Sequence, residues 1–406
     1  MSQVANNSIA DRLASSGRLR LAIVLSHPTQ YYSPWFRWLQ DNASLELRVF
    51  YLWQFGVEPT RDPEFQTTFR WDIDLLEGYP HEFVRNVARD PGTHHFRGLQ
   101  NPGLTQRLAA FRPDAVLLFG YAYASHLRLI AWARLRGIPL IFRGDSHFLG
   151  RPTPPWRTRL ALRALYAQFA ALTYVGRANR DYFSALGVPA HKLFFAPHAV
   201  DHTRFDPAQP GTRAAAAELR LRLGLAPDTR VVLFAGKLLP AKQPRELLDA
   251  FLALPPDKHA LVFVGEGPEK AALLQRAAAA PGRVLFLPFA NQTEMPARYL
   301  LADVFALPSR GLYETWGLAV NEAMHLGRPA LVSDRVGCQQ DLVTDGETGW
   351  VFRADDAAQL RERLAAALQA DLAPLRERVA QRIYGYTYAQ ATAGLLKAIR
   401  FATGSS

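Results

Sequence analysis

Two glutamates eight residues apart, Glu314 and Glu322, flank the tripeptide Trp316-Gly317-Leu318. The glycine lets the backbone approach a ligand closely, and a helix opening at Leu318 leaves the N–H groups of Leu318 and Ala319 without intrahelical partners. Such a helix mouth accepts a phosphate. Carboxylates accept strongly from paired hydroxyls of the kind that ribose and hexoses carry. Were the span all helix, the glutamates would lie about 12 Å apart along its axis, enough to hold different parts of one extended ligand. Alternatively Glu314 caps a helix and Glu322 lies on its solvated face. Their place after the apolar run Val304–Leu307 and beside Gly317 favours the ligand.

Something must hold these groups in place, and the apolar runs say what. Leu19–Leu25, Leu45–Leu52, Ala115–Phe119, Pro139–Phe142, Ala171–Val175 and Leu193–Ala196 occupy the first half. Arg230–Ala235, Ala260–Val264, Val284–Leu287, Val304–Leu307, Ala330–Ser333 and Trp350–Phe352 occupy the second. They are short and largely non-alternating, as strands covered on both faces are. Helical stretches such as Arg245–Leu254, Leu318–Leu326 and Ala357–Ala370 separate them, which implies parallel sheets with right-handed crossovers. A chain of 406 residues exceeds what one core organises. The boundary falls in Asp201–Pro227, which carries Pro207, Pro210 and Gly211. The expected division is a disordered tail over 1–17, an α/β domain over 18–200, a second over 201–385, and a helix over 386–401 that crosses back to the first. Each domain is expected to hold six strands, and ligands of two facing sheets bind in the cleft at the strands' carboxyl ends.

Glu314 and Glu322 match the E-x7-E signature of the retaining glycosyltransferases of family 4, the "group 1" enzymes. The surrounding residues resemble that family too: Pro308-Ser309, Glu314-Thr-Trp-Gly-Leu-Ala-Val-Asn-Glu-Ala-Met324, Gly327-Arg-Pro and Asp345-Gly-Glu-Thr-Gly349. Phe234-Ala-Gly-Lys-Leu-Leu-Pro-Ala-Lys-Gln243 is similar to its G-R-x(n)-K-G element, Val264-Gly-Glu-Gly-Pro268 to its V-G-x-G-P turn, and Pro197-His-Ala-Val-Asp201 to its P-N-G-V-D. The resemblance covers the C-terminal half strongly and the N-terminal half weakly. It implies the GT-B fold, two Rossmann-like domains facing across a cleft, and transfer of a hexose with retained configuration and no metal. It also implies Gly236, Lys237, Lys242, Gly265, Glu314, Gly317, Leu318, Ala319 and Glu322 as the donor site. Two ammonium groups at the end of a strand, Lys237 and Lys242, would neutralise a diphosphate and stabilise it as a leaving group. Lysine is scarce in this Arg-rich chain, which favours function over two solvated side chains. The family's usual arginine is Lys237 here, which keeps the charge and loses the bidentate fork.

The N-terminal half offers positional candidates. The first strand ends in Ser26-His-Pro-Thr-Gln-Tyr-Tyr-Ser-Pro34, where the family commonly has glycines near the diphosphate and this chain has none. His27, Gln30 and Tyr31 occupy that place; a strand-end histidine is equally an ordinary cap. Phe142-Arg-Gly-Asp-Ser-His147 falls where the family sets a polar group against donor sugar and acceptor hydroxyl, so Arg143, Asp145 and His147 are candidates, with an Asp–Arg pair holding the loop as the alternative. Tyr121 is expected on the acceptor side.

Composition bounds the partners. The net charge of +11 suits anionic ones, and the drift of a GC-rich proteome toward arginine accounts for part of it. The single cysteine, Cys338, excludes an internal disulfide and suits a reducing cytoplasm. Met1–Gly17 has no apolar signal region, and no apolar run reaches the roughly 20 residues a bilayer needs. A cytoplasmic protein, peripheral at the inner membrane face, is expected. Asp72-Ile-Asp74 reads as D-x-D, but lies in an alternating stretch resembling a strand face, and the histidines, His94-His95 included, lack metal-ligand spacing. No metal or other cofactor is expected beyond a nucleotide diphosphate sugar as co-substrate. An apolar helix at Leu160–Leu172, flanked by Trp156 and arginines, packs into the core with a solvated basic face or else rests on an anionic membrane. No nucleic-acid motif is present. The acceptor implied is a glycan or glycolipid hydroxyl. A GT-B-fold nucleotide-sugar epimerase and a non-catalytic sugar-binding protein are the alternatives.

Overall fold

The computed structural model describes residues 18–57, 60–62, 67–311 and 314–405, with backbone alone at 60–62 and 67–69. The tail expected over 1–17 lies outside these. The chain begins β1 (Leu19–Leu25), α1 (Tyr32–Asn42), β2 (Leu45–Tyr51), β3 (Thr60–Asp62), β4 (Thr67–Phe69) and β5 (His81–Phe83). There follow α2 (Leu104–Phe111), β6 (Ala115–Phe119), α3 (Ala124–Arg136), β7 (Leu140–Arg143), α4 (Trp156–Tyr166), β8 (Ala171–Tyr174), α5 (Arg177–Ala185) and β9 (Leu193–Phe195). Apart from the β3–β4 hairpin, these strands form one parallel sheet of order β5-β2-β1-β6-β7-β8-β9. That is seven strands where six were expected. The extra one, β5, pairs through only three residues at the edge and is not buried, so it leaves no apolar run to read.

The second half runs α6 (Thr212–Arg222), β10 (Arg230–Ala235), α7 (Pro244–Leu252), β11 (His259–Val264), α8 (Lys270–Ala277), β12 (Val284–Leu287), α9 (Met295–Leu301) and β13 (Val304–Leu307). It continues α10 (Leu318–His325), β14 (Ala330–Ser333), α11 (Gln339–Leu342), β15 (Gly349–Phe352), α12 (Ala357–Gln369), α13 (Leu372–Ile383) and α14 (Tyr388–Thr403). Its sheet is parallel, six-stranded, of order β12-β11-β10-β13-β14-β15. Strands β7, β13 and β14 are buried at every residue, which is why their sequences do not alternate. In each sheet the winding reverses once, between β1 and β6 and between β10 and β13. The crevice outside the carboxyl ends at such a reversal is where open α/β sheets bind ligands.

Helix α14 returns to the first sheet as expected. It packs on β8 and β9, burying Tyr388, Leu395 and Ile399 beside Leu21 and Ile23 of β1. Trp35 Nε1 donates to Thr392 Oγ1 at 3.0 Å. Any side chain at Gly394 would place its Cβ 1.8 Å from the carbonyl oxygen of Phe195, so only glycine allows this approach.

Two expectations fail here. The Asp72–Asp74 stretch is a loop and not a strand face. Asp72 accepts from the backbone amides of Gln292 and Thr293 in the other lobe, and Asp74 from those of Leu76 and Glu77 at 2.8 and 2.9 Å. The helix expected at Leu160–Leu172 is α4, shifted toward the N-terminus, because the apolar residues from Ala171 belong to β8. It packs on the core through Tyr166, with Leu162 and Leu165 half-buried against the same cluster, and turns Arg157, Arg159 and Arg163 to solvent.

Candidate active site

The cleft between the sheets holds a cavity of about 430 Å³, within the range of small-molecule sites. On the C-terminal side it is walled by the ends of β10 and β13. After β10 the chain turns through a 3-10 segment, Pro240–Lys242, whose Ala241 carbonyl accepts from the Arg310 amide at 2.8 Å and the Ser309 hydroxyl at 3.2 Å. The two loops are thereby clamped together, and Lys242 meets Glu314 in an ion pair inside the cavity. Gly236, Lys237 and Gly265 line the same wall. A Cβ at Gly265, where φ is +137°, would stand 2.1 Å from the Gly236 carbonyl oxygen, so this turn admits only glycine.

Gly317, with φ +100°, breaks the chain between loop and helix, so Glu314 lies before α10 and Glu322 within it. The all-helical spacing considered for the pair does not hold. Val320 donates its amide to the Gly317 carbonyl at 2.8 Å, while the first-turn amides of Leu318 and Ala319, both lining the cavity, have no intrahelical carbonyl to reach. Trp316 donates to Asn321 at 2.7 Å and secures the turn from below.

Glu322 is not solvated. It is 3% exposed, and its Oε2 accepts from the Tyr299 hydroxyl at 2.6 Å. Tyr31, from the loop after β1, faces the same carboxyl from the opposite lobe. Burial raises the Glu322 pKa to about 7, against the two tyrosine hydroxyls, which favour the charged form. Its Oε1 has no partner among the described residues, which leaves an acceptor for a ligand hydroxyl.

The N-terminal wall is made by His27 and Gln30 after β1 and by Asp145 after β7. His27 bonds to Ser26 Oγ at 2.9 Å through Nδ1, and burial lowers it to about 4, so the ring is neutral. Asp145 Oδ2 accepts from Thr315 Oγ1 at 2.8 Å and from His198 Nε2 at 3.3 Å. Burial by itself would raise the Asp145 carboxyl; the hydrogen bonds from His198 and Thr315 outweigh it and bring it down to about 2. Burial lowers the His198 pKa despite Asp145, so a carboxylate faces a neutral imidazole.

Three expected residues are not in the cavity lining. Arg143 is buried beneath it, donating to the carbonyls of Ala196 and Pro197 at 2.9 and 3.2 Å with its guanidinium 4.9 Å from the Trp35 ring centre. It braces the strand ends and does not pair with Asp145 as a loop clasp. His147 points to the neighbouring loop, its Nε2 3.2 Å from the Glu314 carbonyl oxygen. Tyr121 is half-buried against Phe142 and Tyr166 and does not line the cavity.

Conversely, His198, Thr315, Tyr299, Trp71, Phe289 and Gln292 line the cavity and were not picked out. His198 had a signal, since it sits in the motif-like Pro197–Asp201 segment. Tyr299 and Trp71 had none: they arrive from α9 and from an irregular loop through packing alone. Away from the cleft, Asp90, His94 and His95 bring ligand atoms within 4.8 Å of one another on the surface, the carboxylate being shared by both imidazoles.

Residues 216–385 match the model of "Glycosyl transferases group 1", and residues 55–204 that of "Glycosyltransferase Family 4". A D-inositol 3-phosphate glycosyltransferase of Nocardia farcinica is 30% identical over 361 residues, covering 80% of this chain and 76% of its own. Anabaena HepE in complex with UDP superposes with a TM-score of 0.72 at 18% identity, over 94% of this chain and 99% of that one. Sucrose-phosphate synthase from Thermosynechococcus elongatus superposes with a TM-score of 0.69 at 18% identity, over 96% and 100%. Both structural likenesses concern the fold.

Proposed function

The chain belongs to the group 1 glycosyltransferases, and from that premise we propose that it moves a hexose from a nucleotide diphosphate sugar to a hydroxyl of a glycan or glycolipid, with retained configuration and without a metal. One observation carries the reading. Lys242, Glu314, the mouth of α10 and the open Oε1 of Glu322 line one cavity, opposite Asp145 and His27 of the other lobe.

In that cavity Lys237, Lys242 and the amides of Leu318 and Ala319 hold the diphosphate and stabilise the charge it gains on leaving. Glu322 holds ribose hydroxyls. Glu314 holds hexose hydroxyls and orients Lys242. The anomeric C–O bond to the phosphate breaks on the face where the acceptor oxygen attacks, and the departing phosphate oxygen takes the acceptor proton. Asp145, ionised and tied to His198 and Thr315, orients the sugar or acceptor hydroxyls. The solved complex of HepE with UDP makes uridine the first base to test. The polysaccharide or lipopolysaccharide setting, at the inner face of an anionic membrane, belongs to the same proposal. Among the described residues no helix is long and apolar enough to cross a membrane.

The test is a panel of nucleotide sugars, read first by thermal stabilisation and then by transfer to a hydroxyl acceptor with the product's anomeric configuration assigned by NMR. One donor should stabilise the chain, and the product should keep the donor's configuration. Conversion of the donor with no acceptor present would make the protein an epimerase. Binding with no turnover for any acceptor would make it a sugar-binding protein.

A further inference from the structure

Helix α4 follows β7 and Asp145 at the carboxyl edge of the first sheet, so it begins beside the cleft. Of its eleven residues only Tyr166 is buried, while Trp156 and Leu160 are 67% and 60% exposed. Leaving such side chains in water is unfavourable, and several together mark an interaction surface. Arg157, Arg159 and Arg163 are exposed among them and form no ion pair among the described residues. Arg157 lies over the Trp156 ring at 5.4 Å. A depression between α4 and the end of α5 is lined by Trp156, Arg159, Leu160 and Arg163.

The neighbouring crossover helix, α3, covers the same core cluster and continues the surface. It exposes Leu135 at 88% and Leu127 at 43%, with Arg128, Arg134 and Arg136 also exposed. Residues 121–180 hold ten arginines and a single acid, Asp145, which points into the cleft. No lysine or glutamate occurs there. Most of the chain's net charge of +11 therefore arises in this one stretch, and its six arginines on α3 and α4 are exposed on the face opposite α14.

We propose that the α3–α4 face docks on the surface of an anionic phospholipid bilayer, with Trp156 and Leu160 entering the interface and the arginines meeting lipid phosphates. A bilayer interface satisfies both halves of this surface at once. A nucleic acid would pair the arginines and leave Trp156 and Leu160 in water. A second copy meeting this face about a two-fold axis would set arginine against arginine. The orientation rests on the transferase proposal: docking there would bring the Asp145 side of the cleft near the lipid, where a glycolipid acceptor lies.

The experiment is co-sedimentation of the full chain with vesicles of phosphatidylcholine alone and with a minority of phosphatidylglycerol, at low and high salt. Binding is expected to the mixed vesicles only and to weaken with salt. Arg157→Gln/Arg159→Gln/Arg163→Gln should lower partitioning on the order of a hundredfold. Trp156→Ser/Leu160→Ser should lower it at least roughly tenfold. Both variants should keep the wild-type melting temperature and turnover with a water-soluble acceptor, since these side chains lie on the surface and outside the cleft. Failure of wild type to bind mixed vesicles, or undiminished binding by both variants, overturns the proposal and leaves the transferase reading standing. So does binding of a DNA duplex that only the glutamine variant loses, or a dimer in solution that the serine variant dissociates.

Discussion

His147 and Glu314 belong to opposite lobes, and the imidazole Nε2 of the first lies 3.2 Å from the backbone carbonyl oxygen of the second. Two residues earlier, Asp145 accepts from the side chain of Thr315, the residue after Glu314. The N-terminal loop thus holds the C-terminal loop at two consecutive residues while itself forming a wall of the cavity. His147 Nδ1 accepts the Leu149 amide at 3.1 Å, which leaves Nε2 as the donor to Glu314, and burial lowers the ring's pKa so that this neutral tautomer persists.

His147→Ala should therefore lower kcat/KM by roughly ten- to a hundredfold through mispositioned Glu314, with little change in nucleotide affinity. His147→Gln, which can still donate to the carbonyl, should recover much of the loss. Equal impairment of both variants would remove the positioning role.

Asp145, brought down to about 2, should remain ionised across the working range. Asp145→Asn should cost about a hundredfold or more in turnover at every pH from weakly acid to weakly alkaline, with no new titration step. A pH–rate profile that differs in shape between wild type and Asp145→Asn would contradict this.

The ion pair of Lys242 and Glu314 should behave as a unit. Lys242→Ala should slow transfer by about 10²- to 10³-fold with a smaller effect on nucleotide binding. Glu314→Ala should be of similar size, and the double variant should lose much less than the product of the two. Fully multiplicative losses, measured as kcat on the same donor, would separate the two side chains functionally.

Glu322 should make stability depend on pH. Its folded pKa, about 7, lies above the ordinary value of 4.5, so between these values the folded state binds more protons than the unfolded one. The contribution is fully present below the unfolded pKa and is lost as pH rises through 7, up to about 3 kcal/mol in all. Melting temperature should fall from pH 5 to pH 8 more for wild type than for Glu322→Gln. Glu322→Ala should also weaken nucleotide binding, since it removes the acceptor at Oε1.

Gly394→Ala should cost about 3 kcal/mol, because the new methyl meets the Phe195 carbonyl oxygen and α14 must shift off the first sheet. Denaturant unfolding measures this directly. Wild-type stability would mean that the helix has room to move at no cost.

Much of the architecture was written into residue order. Buried parallel strands need apolar runs without alternation, and runs such as Val304–Leu307 and Ala330–Ser333 became strands at the expected residues. The C-terminal wall of the cavity was equally local. Gly265 and Gly317 are imposed by backbone geometry within a few residues; Glu314 lies in the loop before Gly317, Glu322 in the helix after it, and Lys242 in the 3-10 turn after β10. The opposite wall depended on pairings between distant segments. Arg143, Asp145 and His147 lie within five residues, yet one braces strand ends, one faces the cavity and one tethers the other lobe. Strand and loop direction at β7 assigns these roles, and composition does not encode direction. Tyr31 and Tyr299 converge on Glu322 from two lobes. Such placements arise when two sheets close on each other, where packing between segments hundreds of residues apart decides which side chains meet.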